Sequence, residues 1–180
     1  MKILVNIFHP EINQSVANKT WLEKLKEHPE ITTRLLYSDY PDWKINIQKE
    51  QNLLTSHDRI VFQHPFYWYS CPPLMKKWLD EVLTYDWAYG PNGNKLAGKE
   101  WISAITTGSP ARAYQSGSYN NFSISELLKP FQQTANLIQM TFLPAYLLQG
   151  TAKLTPDALA LSAENYLSYI KNPKPMTTRN

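Results

Sequence analysis

DRIVFQHPFYWYSCPPL, residues 58–74, is the stretch that decides the fold. It begins with an apolar run that is typical of a buried strand. The residues that follow the stretch, up to about residue 85, have the spacing of an amphipathic helix. Three consecutive aromatic residues, Tyr67, Trp68 and Tyr69, therefore lie in the loop at the carboxyl end of a strand. In an open sheet of alternating strands and helices, this is the position where ligands bind.

The same alternation of strand and helix continues along the chain. The strands are predicted at residues 3–8, 31–37, 58–63, 101–106 and 141–148, and the helices at 16–26, 47–56, 74–85, 123–139, with a bend at Pro130, and 156–171. This order predicts an α/β fold with a five-stranded parallel sheet, strand order 2-1-3-4-5, and helices on both faces. Residues 1–172 are predicted to form a single domain, and residues 173–180 a flexible tail.

The composition is that of a globular enzyme or binding domain. The 180 residues carry a net charge of +3 without a dense basic run, so nothing indicates nucleic-acid binding. The single cysteine, Cys71, cannot form an intrachain disulfide, which fits a reducing compartment. There is no signal-peptide pattern and no apolar segment of membrane-spanning length, so we expect a soluble, cytoplasmic protein. The four histidines lack metal-ligand spacing, and we expect no metal site.

Three loops are expected to converge at one edge of the sheet. In the strand order 2-1-3-4-5, the crevice between strands 1 and 3 brings together the loops that follow strands 1, 3 and 4. These are residues 9–18, 65–71 and 106–119. The same three loops contain the residues whose chemistry best suits a ligand, so we predict the binding site there.

The loop at 65–71 suits a flat conjugated cofactor. Prolines on both sides restrict its backbone, and the rings of Tyr67, Trp68 and Tyr69 offer flat apolar faces. A flavin is the first candidate, because backbone N–H groups of the loop could bond the nitrogen and oxygen atoms of its ring. The alternatives are a hydrophobic plug between helices or part of a dimer face.

The loop at 9–18 has the features of a phosphate site. It ends at the start of a helix, where free N–H groups and the helix dipole favour an anion. Ser15 and Asn18 can donate side-chain hydrogen bonds, and His9 can donate from a ring nitrogen. These donors match the terminal phosphate of FMN. The alternative is that Ser15 only caps the helix and His9 only closes a turn.

The loop after the fourth strand begins with Thr106-Thr107-Gly108-Ser109. Gly108 would let the backbone approach a ligand closely, although an ordinary tight turn is the alternative. Tyr114 is the candidate catalytic residue, as a hydrogen-bond donor toward the substrate. Arg112 is a candidate partner for a phosphate of a nicotinamide nucleotide. For both side chains, a solvated loop position is the alternative.

Several of these segments resemble the flavodoxin-like NAD(P)H:quinone oxidoreductases. Within that family the chain looks most like the ancillary subunits of bacterial glutathione-gated potassium efflux systems. The resemblance extends over residues 1–173. It rests on residues 9–10 with 15–18, 36–37 with 40–42, 63–65 with 68–74, 77–80, 90–93, 96–99 and 106–108.

The resemblance implies an FMN-binding homodimer that reduces quinones or other small electrophiles with NAD(P)H, by two-electron, ping-pong hydride transfer. FMN is expected rather than FAD. The residues implied to contact FMN are His9, Ser15, Val16, Ala17, Asn18, Phe66, Tyr67, Trp68, Tyr69, Thr106, Thr107, Gly108 and Ser109.

The efflux group also implies a protein partner. Its members regulate a potassium efflux channel, which would place the chain on the inner face of the cell membrane. Two positions depart from the family pattern: Ser109 stands where many relatives have a second glycine, and Asn120 where mammalian-type relatives have a histidine. Two alternatives stay open, a mainly regulatory subunit with weak or no reductase activity and a flavodoxin-like electron carrier.

Overall fold

The computed structural model describes residues 1–173, so the predicted tail lies outside the described residues from residue 174 on. The strands are β1 (Ile3–Ile7), β2 (Ile31–Leu35), β3 (Arg59–Pro65), β4 (Glu100–Thr107), β5 (Thr141–Phe142) and β6 (Tyr146–Gln149). The helices are α1 (Val16–Lys26), α2 (Leu36–Asp39), α3 (Ile47–Ser56), α4 (Pro73–Val82), α5 (Ile124–Leu127), α6 (Lys129–Leu137) and α7 (Pro156–Lys171). In this part of the chain, no helix is both long enough and apolar enough to span a bilayer.

The strands form one parallel sheet in the order β2-β1-β3-β4-β5, with β6 also paired to β4. In register, Ile3 of β1 lies opposite Ile31 of β2 and Arg59 of β3. The order and the parallel direction confirm the predicted topology. β1 and β3 are buried along their whole lengths, since both faces of a parallel sheet are covered, and this explains their apolar sequences.

Two apolar cores pack on the two faces of the sheet. Successive side chains of a strand point to opposite faces, so Ile3, Val5 and Ile7 join one core and Leu4 and Phe8 the other. Residues of α1 and α7 complete the first core. Residues of α3, α4, α5 and α6 complete the second. The prediction of helices on both faces is therefore confirmed.

The predicted fifth strand is interrupted. β5 pairs Phe142 with Trp101, whereas β6 pairs Tyr146 with Ala104. Two residues of β4 thus face three residues of the fifth strand, as in a β-bulge. Pro144 is one of the three and has no N–H to donate to the sheet. The prediction of one continuous strand was therefore wrong.

Two other elements end differently from the prediction. The second strand stops at Leu35, and the single helical turn α2 follows it directly. The helix predicted at 123–139 is two helices that break at Leu128. Pro130 is the second residue of α6, and because it has no N–H it cannot extend the hydrogen bonds of α5. The break therefore lies before the proline, whereas the sequence predicts a bend at Pro130 itself.

A fully buried carboxylate, Glu50 of α3, joins the sheet edge to the helices. It accepts hydrogen bonds from Arg34 on β2, from the Tyr40 hydroxyl after α2 and from the Trp78 indole on α4. Burial, together with the bond to Glu50, raises the pKa of Tyr40 to about 12, so its hydroxyl keeps its proton and donates. The network therefore joins β2, α3 and α4 beside the second apolar core.

We expect Glu50→Ala to lower the free energy of unfolding by about 3 kcal/mol. The buried Arg34 guanidinium then loses one of its two carboxylate partners and keeps only Asp39. Gln48→Ala, at an exposed position of the same helix, is the control and should change it by less than about 0.5 kcal/mol. Urea unfolding followed by tryptophan fluorescence measures both. Equal values for the two variants would contradict the role of the network.

Candidate functional site

A cavity of about 340 Å³ lies at the carboxyl edge of the sheet. The loops that follow β1, β3, β4 and β6 surround it. The residues that line it are His9, Ser15, Val16, Ala17, Asn18, Pro65, Phe66, Tyr67, Thr106, Thr107, Gly108, Thr151 and Ala152. Open α/β sheets bind their ligands at this edge, so the cavity is the candidate site.

One wall of the cavity is the beginning of α1. Ser15 caps this helix, because its hydroxyl oxygen accepts a 3.2 Å hydrogen bond from the Asn18 N–H. The N–H groups of Val16 and Ala17 lie in the first turn, where no carbonyl of the helix can accept from them. Both residues line the cavity. The cavity therefore borders free N–H donors and the positive end of the helix dipole, which favour an anion.

A buried hydrogen-bond network fixes this wall to the sheet. The Asn18 amide donates to the Ser15 hydroxyl at 3.3 Å and to the Thr106 hydroxyl at 2.9 Å. Gln63 donates to the backbone and side-chain oxygens of Asn18, and the Tyr166 hydroxyl donates to Gln63. Both amide hydrogens of Asn18 are thus used within the protein. The expectation that Asn18 donates to a phosphate does not fit this arrangement, in which the residue holds the wall.

His9 is half-buried beside the start of α1. Its Nδ1 accepts a 3.1 Å hydrogen bond from the Glu11 N–H, so in the neutral ring the hydrogen is on Nε2. Burial lowers the pKa of His9, and the nearby Glu11 carboxylate offsets only part of this effect. At neutral pH the side chain is therefore an uncharged ring with one N–H donor.

The aromatic loop leaves β3 next to β4, where the Phe66 N–H donates to the Thr106 carbonyl at 2.9 Å. Trp68 and Tyr69 have φ angles of 48° and 61°. Bulky residues rarely adopt this left-handed conformation, which costs on the order of 1–3 kcal/mol each and occurs often at ligand sites. The Trp68 side chain is also 92% exposed. The loop therefore holds an uncovered indole in an unfavourable backbone conformation.

Tyr114 and Asn120 lie behind the aromatic loop. The Tyr114 ring is 6.1 Å from the Phe66 ring, and the Tyr69 hydroxyl donates to Asn120 Oδ1 at 3.2 Å. Within residues 1–173, the Tyr114 hydroxyl has no hydrogen-bond partner. Asn120 is therefore paired with Tyr69, whereas the Tyr114 hydroxyl is not engaged by another residue of this part of the chain.

The structure brings ten of the thirteen predicted contact residues to the lining of one cavity. The other three, Trp68, Tyr69 and Ser109, lie one or two residues after a lining residue in the chain but do not line the cavity themselves. Tyr114 does not line it either and contacts the site through Phe66. The convergence of the loops after strands 1, 3 and 4 is therefore as the sequence predicts.

The sequence analysis placed Pro65 in the second loop without naming it as a contact, and it missed the lining residues Thr151 and Ala152. Thr151 and Ala152 follow β6 at the same carboxyl edge, so the rule that selected the other loops applies to them as well. The Thr151 hydroxyl donates to the Thr107 carbonyl at 3.3 Å, which holds this fourth loop against the third.

Residues 1–170 match the sequence model of a family described as having a flavodoxin-like fold, and the chain belongs to this family. A Bacillus subtilis (strain 168) protein described as an uncharacterized NAD(P)H oxidoreductase is 50% identical over 172 residues, which are 96% of this chain and 87% of that protein. The glutathione-regulated potassium-efflux system ancillary protein KefG of Enterobacter sp. (strain 638) is 44% identical over 174 residues, 97% of this chain and 95% of that protein.

Solved structures share the whole fold. The general stress protein 14 of Treponema denticola, in complex with FMN, has a TM-score of 0.91 and 38% identity over 95% of this chain and 98% of that one. An NADPH-quinone reductase from P. pentosaceus has a TM-score of 0.86 and 32% identity over 97% and 100% of the two chains. A structure described as a tryptophan halogenase from Streptomycin violaceusniger has a TM-score of 0.91 and 48% identity over 98% and 99%.

A fully buried histidine, His64, precedes the lining residue Pro65. Its Nδ1 donates to the Pro65 carbonyl at 2.9 Å, and its ring packs edge-on against Phe131. Its Nε2 has no partner among residues 1–173. Burial lowers the pKa of His64 to about 4, so the ring is neutral in the folded protein at neutral pH.

We expect this histidine to destabilise the protein in mild acid. The unfolded chain protonates His64 below about pH 6.5, whereas the folded protein does so only near pH 4, so stability is lost as the pH falls between these values. The free energy of unfolding should fall by about 2 kcal/mol between pH 7 and pH 5. Urea unfolding at several pH values measures this. His64→Gln should flatten the dependence, and an unchanged slope in that variant would contradict the assignment.

Proposed function

We propose that this protein is an FMN-dependent NAD(P)H:quinone oxidoreductase. The observation that carries the proposal is a cavity in which the free N–H donors at the start of α1 meet the aromatic loop after β3. The similarity to a solved FMN complex, and to proteins described as an NAD(P)H oxidoreductase and an NADPH-quinone reductase, supports the same assignment.

The residues around α1 fit the phosphate of FMN. A phosphomonoester carries about −1.5 to −2 charges near neutral pH, and its oxygens accept several hydrogen bonds. The N–H groups of Val16 and Ala17, the Ser15 hydroxyl and the His9 Nε2–H are donors on this wall. No lining residue of the cavity has a carboxylate that would repel the phosphate.

The loops after β3 and β4 fit the flat ring system. Phe66 and Tyr67 line one part of the cavity, and the Thr106–Thr107–Gly108 backbone lines another. At Gly108, no atom lies within 4 Å of the position that a Cβ would occupy, so the backbone is open to a close approach. Trp68 and Tyr69 are proposed as ring contacts at the rim, because they directly follow Tyr67, which lines the cavity.

When bound, FMN supplies hydride transfer from NAD(P)H to a quinone, and the two substrates use one pocket in turn. The protein positions both substrates, and the cavity wall excludes water from one face of the flavin ring. The Tyr114 hydroxyl is free to donate a hydrogen bond to a quinone oxygen. The Tyr69 hydroxyl is engaged with Asn120, and an amide does not relay a proton as an imidazole does. Tyr114 is therefore the proposed donor, and Asn120 fixes the Tyr69 ring.

A regulatory role at a potassium efflux channel is the second candidate. The 44% identity to the KefG ancillary protein, over nearly the whole of both chains, favours it. In that role the protein would associate with the inner face of the membrane through its partner and have weak or no reductase activity. A homodimer is part of both proposals, and the exposed side chains of Trp68 and Phe122 offer apolar surface for it.

The absorbance of FMN-loaded protein under anaerobic conditions decides between these functions. We expect NADPH or NADH to bleach the flavin band and benzoquinone to restore it. Bound flavin that neither bleaches nor recovers would reject the reductase and favour the regulatory role. Protein that retains no flavin would reject the site itself. With added tryptophan and chloride we expect no chlorotryptophan, the product of a halogenase.

Val16→Pro tests the phosphate end of the site. Proline removes the Val16 N–H, and its fixed φ suits the first residue of a helix that follows the extended Ser15. A hydrogen bond to a charged group contributes about 1.5–3 kcal/mol, so the Kd for FMN should rise by roughly tenfold or more. The Kd for riboflavin, which lacks the phosphate, should stay the same.

Val16→Ala is the matched control, because it shortens the same side chain and keeps the N–H. Titrations that follow the quenching of flavin fluorescence measure the four affinities. If Val16→Pro weakened FMN and riboflavin equally, the phosphate would not lie at the start of α1.

A further inference from the structure

A second cavity, of about 400 Å³, lies beside the candidate site. It is lined by the loop between β4 and α5, within residues 109–119. Its polar side chains are those of Ser109, Arg112, Gln115, Ser118 and Tyr119. One of these side chains is cationic and none is acidic, so the cavity favours an anion.

The two cavities share one segment of backbone. Gly108 lines the first cavity and Ser109 lines the second, and adjacent Cα atoms are about 3.8 Å apart. The Ser109 carbonyl accepts hydrogen bonds from the Gly150 N–H at 2.9 Å and the Thr107 hydroxyl at 2.7 Å, which fixes the segment. The linings of the two cavities therefore meet at the Gly108–Ser109 peptide bond.

The loop around the second cavity is held in a defined shape. The Asn120 N–H donates to the Ala113 carbonyl at 3.0 Å, and both residues are buried. The Ser118 N–H donates to the Gln115 carbonyl at 3.1 Å within the same loop. The cavity therefore does not depend on a ligand for its form, which lowers the entropy lost on binding.

Arg112 and Tyr119 give this cavity a cation and an aromatic ring, and neither side chain forms a hydrogen bond within residues 1–173. Arg112 is exposed and forms no ion pair with any residue from 1 to 173. A guanidinium binds phosphate with two parallel hydrogen bonds. The Tyr119 side chain is 85% exposed, and a phenol ring offers a stacking surface to a base. A phosphate and a purine are thus the two chemical groups that the cavity suits.

We propose that the second cavity binds the adenosine 2′-phosphate end of NADPH, with Arg112 on the 2′-phosphate and the Tyr119 ring against the adenine. The inference rests on the proposed function, because the nicotinamide of the same molecule would then lie against the flavin that the first cavity holds. NADH has a hydroxyl in place of the 2′-phosphate and gains no charged contact from Arg112. The enzyme therefore prefers NADPH.

Steady-state reduction of benzoquinone by the FMN-loaded protein tests this preference. In Arg112→Gln we expect the KM for NADPH to rise about tenfold, the loss typical of one charged phosphate contact, and the KM for NADH to change less than twofold. Arg112→Lys should be intermediate, because a lysine keeps the charge but not the paired geometry. Lys95→Gln is the matched control, since it removes an exposed cation that precedes the amino end of β4.

Calorimetry on the same proteins gives a readout that needs no turnover. The wild type should bind adenosine 2′,5′-bisphosphate about tenfold more tightly than adenosine 5′-monophosphate, and Arg112→Gln should remove this difference. The assignment is overturned if the wild type binds both equally or binds neither, or if inorganic phosphate binds as tightly as the bisphosphate. A parallel rise of both KM values in Arg112→Gln also overturns it.

The two experiments separate this inference from the proposed function. Bisphosphate binding that depends on Arg112, without flavin reduction by either dinucleotide, supports the nucleotide site and rejects the reductase. Flavin reduction by both dinucleotides with equal KM values, and no effect of Arg112→Gln, rejects the second site and retains the reductase.

Discussion

A parallel sheet has to be buried on both faces, and this constraint organises the molecule. Each parallel connection is a crossover that carries a helix to one face or the other. After β1 the chain crosses with α1 on one face, and after β3 it crosses with α4 on the opposite face. The two loops diverge at the carboxyl edge and leave a crevice between them. The cavity is therefore a consequence of covering the sheet.

Two networks in this fold pair buried polar groups, since an unpaired buried polar group is costly. The Glu50 carboxylate satisfies three donors at one side of the sheet. Beneath the cavity, the side-chain amides of Asn18 and Gln63 are hydrogen-bonded to each other. Asn18 is also bonded to Thr106, and Gln63 to Tyr166. These networks stabilise the walls of the site but offer little to a ligand, because their hydrogen-bonding groups are already occupied.

The groups proposed to meet ligands have the opposite property. The Val16 N–H has no acceptor in its helix, Trp68 is exposed on a strained backbone, and Arg112 has no ion-pair partner within residues 1–173. None of these features adds to the stability of the fold. Natural sequences depart from locally favourable choices mainly at functional sites. These three groups lie around two adjoining cavities. This location supports a common role in binding a nucleotide-like cofactor and its reductant.

The sequence by itself determined the strand order and most of the cavity lining, because apolar runs mark buried strands and crossover rules assign the loops to one edge. His9, Gly108 and the aromatic loop were found in this way. The tertiary structure decided the bulge at Pro144, the arrival of Thr151 at the cavity and the partners of Asn18. The physical reason is that these depend on contacts between distant segments, such as the Asn18–Thr106 hydrogen bond across 88 residues, which no local pattern encodes.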